Sequence, residues 1–168
     1  MSRAITAPQH LAGQHHVSDF DSGVPELDNW LKRRALLNEA SHASRTFVIT
    51  DGNRVVGYYA LATGALSHEA ATGRVRRNMP VQIPAMVIAR LAVDRKHQRT
   101  GLGSALLKDA LLRTLSAADI AGIRAVLLHA VSEDAKRFYL HHGFAESPVD
   151  PMTMMITLAD VEKTLSGQ

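Results

Sequence analysis

The sequence has no cysteine, one tryptophan and only 5% aromatic residues. Without cysteine there can be no disulfide, no thiolate zinc site and no cysteine nucleophile. No apolar run approaches the roughly 18 residues that a membrane-spanning helix needs, which argues against an integral membrane protein. The opening Met1-Ser2-Arg3-Ala4-Ile5-Thr6 lacks the apolar core of a signal peptide, so the cytoplasm is the expected location. Metal-ligand spacing is missing too. His15-His16 and His141-His142 are adjacent pairs, not the i, i+4 pairs that share a helical face, and no His-Glu-x-x-His occurs, so no metal is expected. Charge of one sign is also scarce. Nineteen Lys and Arg against sixteen Asp and Glu leave +3, which permits an anionic cofactor or polyanionic substrate without demanding nucleic acid.

What is present fits a soluble α/β protein. At 168 residues, 46% of them hydrophobic, the chain is expected to form one domain over 1–168 with a full-sized core. Met86–Val93 is a nearly unbroken apolar run and reads as a buried strand. Leu106–Ser116 reads as a helix whose wet stripe is Ser104, Lys108, Asp109, Arg113 and Ser116. Arg124–Ala130 is a second buried-looking strand, so strand, helix and strand predict a parallel crossover. Ser132 caps the next predicted helix, with Glu133 and Asp134 in its first turn and a stop at Gly143. Phe144–Glu146 and Met152–Leu158 read as strands, and Asp160–Leu165 as a short terminal helix. Earlier in the chain, a strand or extended arm is expected before His16. Leu27, Trp30 and Leu31 predict an amphipathic helix to about Asn38. The turn Asp51-Gly52-Asn53 joins Arg45–Thr50 and Val55–Ala62 into a hairpin. Ser67–Gln82 reads as a surface loop with a short helical turn, ended by Pro80 and Pro84.

Between the strand at 86–93 and the following helix lies Asp94-Arg95-Lys96-His97-Gln98-Arg99-Thr100-Gly101-Leu102-Gly103-Ser104-Ala105. A strand feeding a Gly-rich turn and a helix aims backbone N–H groups and the positive end of the helix dipole at one point, which suits a phosphate. Gln98-x-x-Gly101-x-Gly103 alone is equally compatible with a tight turn and close helix packing. It is not a dinucleotide fingerprint, because Leu106 stands where the third glycine belongs, and no Gly-Lys-Ser/Thr marks a P-loop.

In context, Leu91–Leu107 resembles the acyl-CoA-binding motif of the GNAT acyltransferase superfamily. Ala135-Lys136-Arg137-Phe138-Tyr139-Leu140-His141-His142-Gly143-Phe144 resembles that family's second landmark, a helix ending in Phe-Tyr followed by Gly-Phe. The resemblance covers about residues 45–158. It implies a mixed, mostly antiparallel sheet of about six or seven strands, splayed at the CoA site and flanked by about four helices. Acetyl-CoA is then the implied acyl donor. Its implied binding set is Leu91, Ala92, Val93, Gln98, Arg99, Thr100, Gly101, Leu102, Gly103, Ser104, Ser132 and Phe138. Backbone N–H groups of Arg99–Ser104 would hold the pyrophosphate, Arg95, Lys96 and Arg99 would meet the nucleotide phosphate, and the edge of Leu91 and Val93 would pair with the pantetheine arm. Tyr139 would protonate the departing thiolate; a phenol near 10 and a thiol near 8.5 are close enough for that exchange.

Phe20-Asp21-Ser22-Gly23-Val24-Pro25-Glu26-Leu27-Asp28-Asn29-Trp30-Leu31 resembles the entrance of the GNAT branch of toxins that acetylate the α-amino group of aminoacyl-tRNA. Thr46-Phe47-Val48, Gly57–Leu61 and Pro84–Asp94 fit the same branch. Ser22 stands where cysteine is frequent, and its distance from the CoA motif in sequence suggests no mechanistic consequence. This branch implies a ribbon-helix-helix antitoxin and a homodimer. The alternative is a GNAT enzyme acting on a small amine or a protein amino group. Two features of the residues themselves favour the tRNA acceptor. No carboxylate base is evident near the motif, and an α-amine with pKa near 8 is roughly one-fifth neutral at about pH 7.4, unlike a lysine. Arg74, Arg76 and Arg77, with Lys32, Arg33 and Arg34, supply cations for a phosphate track, which the bland reading of a solvated surface also accommodates. Arg90, alternating with Ile88 and Ala92, is expected to meet the substrate or a carboxylate. His129 is left without an assigned chemistry.

Overall fold

The computed structural model describes residues 5–167, so Met1–Ala4 of the signal-peptide reading lie outside the described residues. In chain order the elements are β1 (Gln9–His10), α1 (Pro25–Arg33), α2 (Ala35–Ser41), β2 (Arg45–Asp51), β3 (Arg54–Ser67), α3 (Gly73–Arg76) and β4 (Gln82–Val93). A 3-10 turn at Arg95–His97 leads to α4 (Leu102–Ala118), β5 (Ala125–His129), α5 (Glu133–His141), β6 (Ala145–Glu146), β7 (Thr153–Thr157) and α6 (Leu158–Ser166). The seven strands are hydrogen-bonded in the order β1-β2-β3-β4-β5-β7-β6. The β4–β5 pair is parallel, while β1–β2, β2–β3, β5–β7 and β6–β7 are antiparallel. The α/β class and strand number match the expectation, but the described residues hold six helices rather than about four. One extra helix arises because the first does not run to Asn38. The backbone leaves helical geometry at Arg34 (φ −116°, ψ −29°) and resumes in α2, a break that buries Ala35 completely and leaves Leu36 and Leu37 exposed. The other is α3, the helical turn expected inside 67–82.

Two compact units make up the chain. The first holds residues up to Ala62 together with Ala89–Ala110. Its core joins Phe20, Leu27, Leu31 and Ala35 to Val48, Val55, Tyr58 and Ala92. Each of its leucine, valine and phenylalanine side chains contributes about 1.5–3 kcal/mol when removed from water. The β2–β3 hairpin turns where expected, with Gly52 in the left-handed region (φ +65°), and its register shifts between Ile49 and Thr50. Gly57 of β3 leaves room for α4. A Cβ there would lie 3.1 Å from Leu106 Cδ1, so the bare backbone lets the fully buried Leu106 press onto the sheet.

The second unit holds Thr63–Ile88 and the residues from Leu111 onward. Its parallel ladder runs from Ala85↔Ala125 to Ile88↔Leu128, as the strand–helix–strand order predicts. Leu66, Ala71, Val75, Ile83, Ala125 and Met155 form its core. Pro84 sits inside β4 instead of before it, and its carbonyl accepts from Arg124 N at 2.9 Å. The short α3 is held from outside: Thr72 caps it through Val75 N, and the Arg124 guanidinium donates to the carbonyls of Arg74 and Val75. No helix among the described residues is long and apolar enough to cross a membrane.

Candidate active site

In the first unit, β4 runs on to Val93, five residues past the last registered pair with β5. Leu91 and Val93 are half-buried there and Ala92 is buried. The strand's end is therefore an edge that can take an extended ligand. The chain then makes the 3-10 turn, capped by Asp94 Oδ1, which accepts from Lys96 N at 3.0 Å. It enters α4 through two left-handed residues, Arg99 (φ +63°) and Gly101 (φ +89°). A non-glycine residue held at positive φ costs on the order of 1 kcal/mol and marks a loop whose shape is imposed by its surroundings. Thr100 helps to impose it, its hydroxyl donating to the His97 carbonyl. Because the first helical bond runs from Ala105 N to Gly101 O, the N–H groups of the opening turn point out of the 17-residue helix α4. Nothing lies within 4 Å of a Cβ built on Gly101. This open, donor-rich cradle fits a pyrophosphate, and the strand edge before it fits a pantetheine arm.

The segment Phe20–Asp28 is fastened to this loop. The Gln98 side-chain amide donates to Ser22 O (2.9 Å) and to Val93 O (2.8 Å). Arg95 N donates to Asp21 O (2.8 Å), its guanidinium pairs with Asp21 Oδ1 (3.2 Å), and Asp21 N donates to Asp94 Oδ2 (3.1 Å). Buried Asp28 accepts from both Ser22 N (3.0 Å) and Ser22 Oγ (2.6 Å). Ser22 thus lies beside the loop despite its distance in sequence, its backbone carbonyl taking the Gln98 amide and its hydroxyl held by Asp28. Gln98 holds backbone on both sides of the loop, a positioning task beside the ligand-binding one expected of it. Asp21 and Ser22 lie 73 to 76 residues from their partners Asp94, Arg95 and Gln98, and no local pattern announces the contact.

In the second unit, Ser132 caps α5 by accepting from Ala135 N at 3.1 Å. Phe138 is half-buried and Tyr139 buried; their rings meet edge to face at 5.1 Å, and Tyr139 meets Phe144 at 5.6 Å. The Tyr139 hydroxyl has no hydrogen-bond partner among the described residues. Burial pushes its pKa well above the ordinary phenol value, so it stays protonated.

Residues 42–146 match the acetyltransferase (GNAT) domain family. The chain belongs to the GNAT acetyltransferase family. Within it, this GNAT chain is 48% identical over 155 residues to the tRNA-acetylating toxin of Mycobacterium tuberculosis, covering 92% of itself and 93% of that toxin. It is 31% identical over 165 residues to the probable toxin TacT of Sinorhizobium fredii, covering 90% of each. Among solved structures, a point mutant of KacT superposes with a TM-score of 0.89 at 22% identity, covering 95% of this chain and 98% of KacT. AtaT complexed with acetyl-methionyl-tRNAfMet superposes with a TM-score of 0.87 at 22% identity, covering 96% and 99%. These last two likenesses show that KacT and AtaT share this fold.

The basic residues behave less uniformly than expected. Lys32 and Arg33 are exposed on the last turn of α1, and Arg77 is exposed just after α3. Arg74, however, is committed to Asp160 through two bonds of 2.5 and 2.6 Å, which hold the Asp160 carboxyl below its usual range. Arg76 donates to the His68 carbonyl at 3.3 Å. Arg90 places its guanidinium 4.6 Å from the Trp30 ring centroid, a cation–π contact, and forms no ion pair with a carboxylate among the described residues. Among the described residues no group of three or more His, Asp or Glu side chains could hold a metal.

Proposed function

We propose that this GNAT chain transfers the acetyl group of acetyl-CoA to the α-amino group of an aminoacyl-tRNA, blocks translation by doing so, and is restrained by a ribbon-helix-helix antitoxin. The observation that carries this reading is the near full-length 48% identity to a tRNA-acetylating toxin, on a chain that builds a donor cradle from Val93 to Ser104. The backbone of Arg99–Ser104 takes the pyrophosphate, Leu91–Val93 the pantetheine, and Tyr139 the departing sulfur. The amine attacks the thioester carbonyl carbon; the C–N bond forms, the C–S bond breaks, and the sulfur leaves as thiol. Acetylation removes the positive charge of the aminoacyl nitrogen and delocalises its lone pair into an amide, so the product cannot accept a growing peptide. A homodimer would double the basic surface offered to tRNA.

Purified protein incubated with radiolabelled acetyl-CoA and a mixed aminoacyl-tRNA pool is expected to label tRNA, and alkaline deacylation to release the label as an N-acetyl amino acid. Label confined to small amines or protein would overturn the tRNA reading. A second expectation concerns the phosphate contacts. Replacing Lys32 and Arg33 with alanine removes two cations, each worth about 0.7–0.9 in the slope of log affinity against log salt. The slope for tRNA should become shallower by about 1.5, with no change toward a small-amine acceptor. An unchanged slope would remove α1 from the tRNA surface.

A further inference from the structure

We infer that His129 is the group that takes a proton from the acceptor's ammonium. The inference rests on the acetyltransferase reading above, which leaves the acceptor without a base. His129 is the last residue of β5, and its cross-strand partner on β7 is Thr153. His129 Nδ1 lies 2.9 Å from Thr153 Oγ1. That hydroxyl has a single proton, and donates it to Asp150 Oδ2 at 2.9 Å. The direction is forced, because the Met152 N–H and the Thr153 hydroxyl hold the Asp150 carboxyl below its ordinary range and keep it anionic. Thr153 Oγ1 therefore accepts from the imidazole. In the neutral ring the proton then sits on Nδ1, and Nε2 carries the lone pair.

The support of this ring is stiff. Asp150 Oδ1 accepts from Met152 N (3.0 Å), Asp150 O from Thr153 N (3.0 Å), and Met152 O from Ala130 N (2.8 Å). Asp150, 3.8 Å from Nδ1, is the charged group within ion-pair distance of the ring, while 67% of the His129 side chain is exposed. Nε2 has no hydrogen-bond partner among the described residues. Its place is also that of a site. His129 ends a strand parallel to β4, and in parallel strand–helix–strand units ligands gather at the carboxyl ends of the strands. Three residues later Ser132 begins the helix that carries Tyr139.

In the reaction, the acceptor R–NH3+ gives one proton to His129 Nε2 and becomes R–NH2. The nitrogen lone pair attacks the acetyl carbon, and the electrons of the C–S bond leave with sulfur. The nitrogen's second proton ends on sulfur by way of the Tyr139 hydroxyl, and His129 returns its proton to water. One proton is released per acetyl group transferred.

The test compares His129→Asn with the parent protein at saturating acetyl-CoA, using the mixed aminoacyl-tRNA pool. Asparagine can still donate to Thr153 Oγ1 but has no counterpart of Nε2. General-base catalysis is worth 10²–10⁴-fold, so at pH 6.5 the variant's rate should fall about 100-fold. By pH 9, where an α-amine of pKa near 8 has lost its proton to water, the deficit should shrink to about threefold. Thr153→Val, which frees the tautomer, should show the same trend with about a tenfold deficit at pH 6.5. A deficit that does not change with pH, or one below threefold at pH 6.5, overturns the assignment. A parent protein that labels no tRNA overturns the acceptor reading instead; the same ratio measured with glycinamide then decides His129 independently.

Discussion

Replacing Tyr139 with phenylalanine is expected to lower acetyl transfer by about 10²–10⁴-fold while acetyl-CoA still binds. The substitution deletes one oxygen and leaves the edge-to-face contacts with Phe138 and Phe144 in place. Because the hydroxyl makes no hydrogen bond within the described residues, its loss leaves no orphaned partner, and the melting temperature should stay within a few degrees. The pH dependence follows from burial. A phenol pushed above its usual range keeps its proton well past pH 10, so the parent's rate should show no descending limb near 10. Isothermal titration of acetyl-CoA and single-turnover rates together provide the check. Full transfer by the phenylalanine variant would remove Tyr139 from the chemistry; lost acetyl-CoA binding would make its role one of packing.

How far this site is legible in the sequence depends on whether a signal is local. The Asp51-Gly52-Asn53 turn, the Ser132 cap and the glycines at 101 and 143 each declare a backbone conformation within four residues, and each appears where it reads. The parallel β4–β5 pair follows from two apolar runs separated by a helical one. What does not appear is any contact made across long stretches of chain. Arg74 looks like a free cation until Asp160, 86 residues away, claims it. Arg90 reads as a charge in need of an anion, and no linear signal pairs it with the Trp30 ring it lies over. His129 carries no assigned chemistry until the Asp150–Thr153 turn orients its ring. In each case the residue type was informative and the partner was not, because partner choice depends on packing that a linear pattern does not encode.

The same dependence gives the largest expected loss of stability, at Tyr58. Its side chain is fully buried, edge-on to Phe20 at 5.6 Å and stacked on Trp30 at 6.0 Å, and its hydroxyl donates to Leu27 O at 2.7 Å. It is the post against which α1 and the segment before it are packed. Burial, against the opposing pull of Arg90 and with a smaller push from Asp28, raises its pKa, so it is neutral at any pH where the protein works. Tyr58→Ala should cost about 3–5 kcal/mol, the usual range for deleting a buried aromatic. At about 2–4 °C per kcal/mol for a chain of this size, the melting temperature should drop by about 6–20 °C. Tyr58→Phe keeps the rings and should cost only about 1 kcal/mol. The functional consequence reaches the donor loop. With α1 loosened, Ser22 is no longer held against Gln98, nor Asp21 against Arg95 and Asp94, and the cradle loses its outer support. Well below the melting temperature of the alanine variant, its acetyl-CoA KM should therefore rise about tenfold, with kcat changed less than threefold. If KM holds while the melting temperature falls, Phe20–Asp28 stabilises the fold without shaping the donor site.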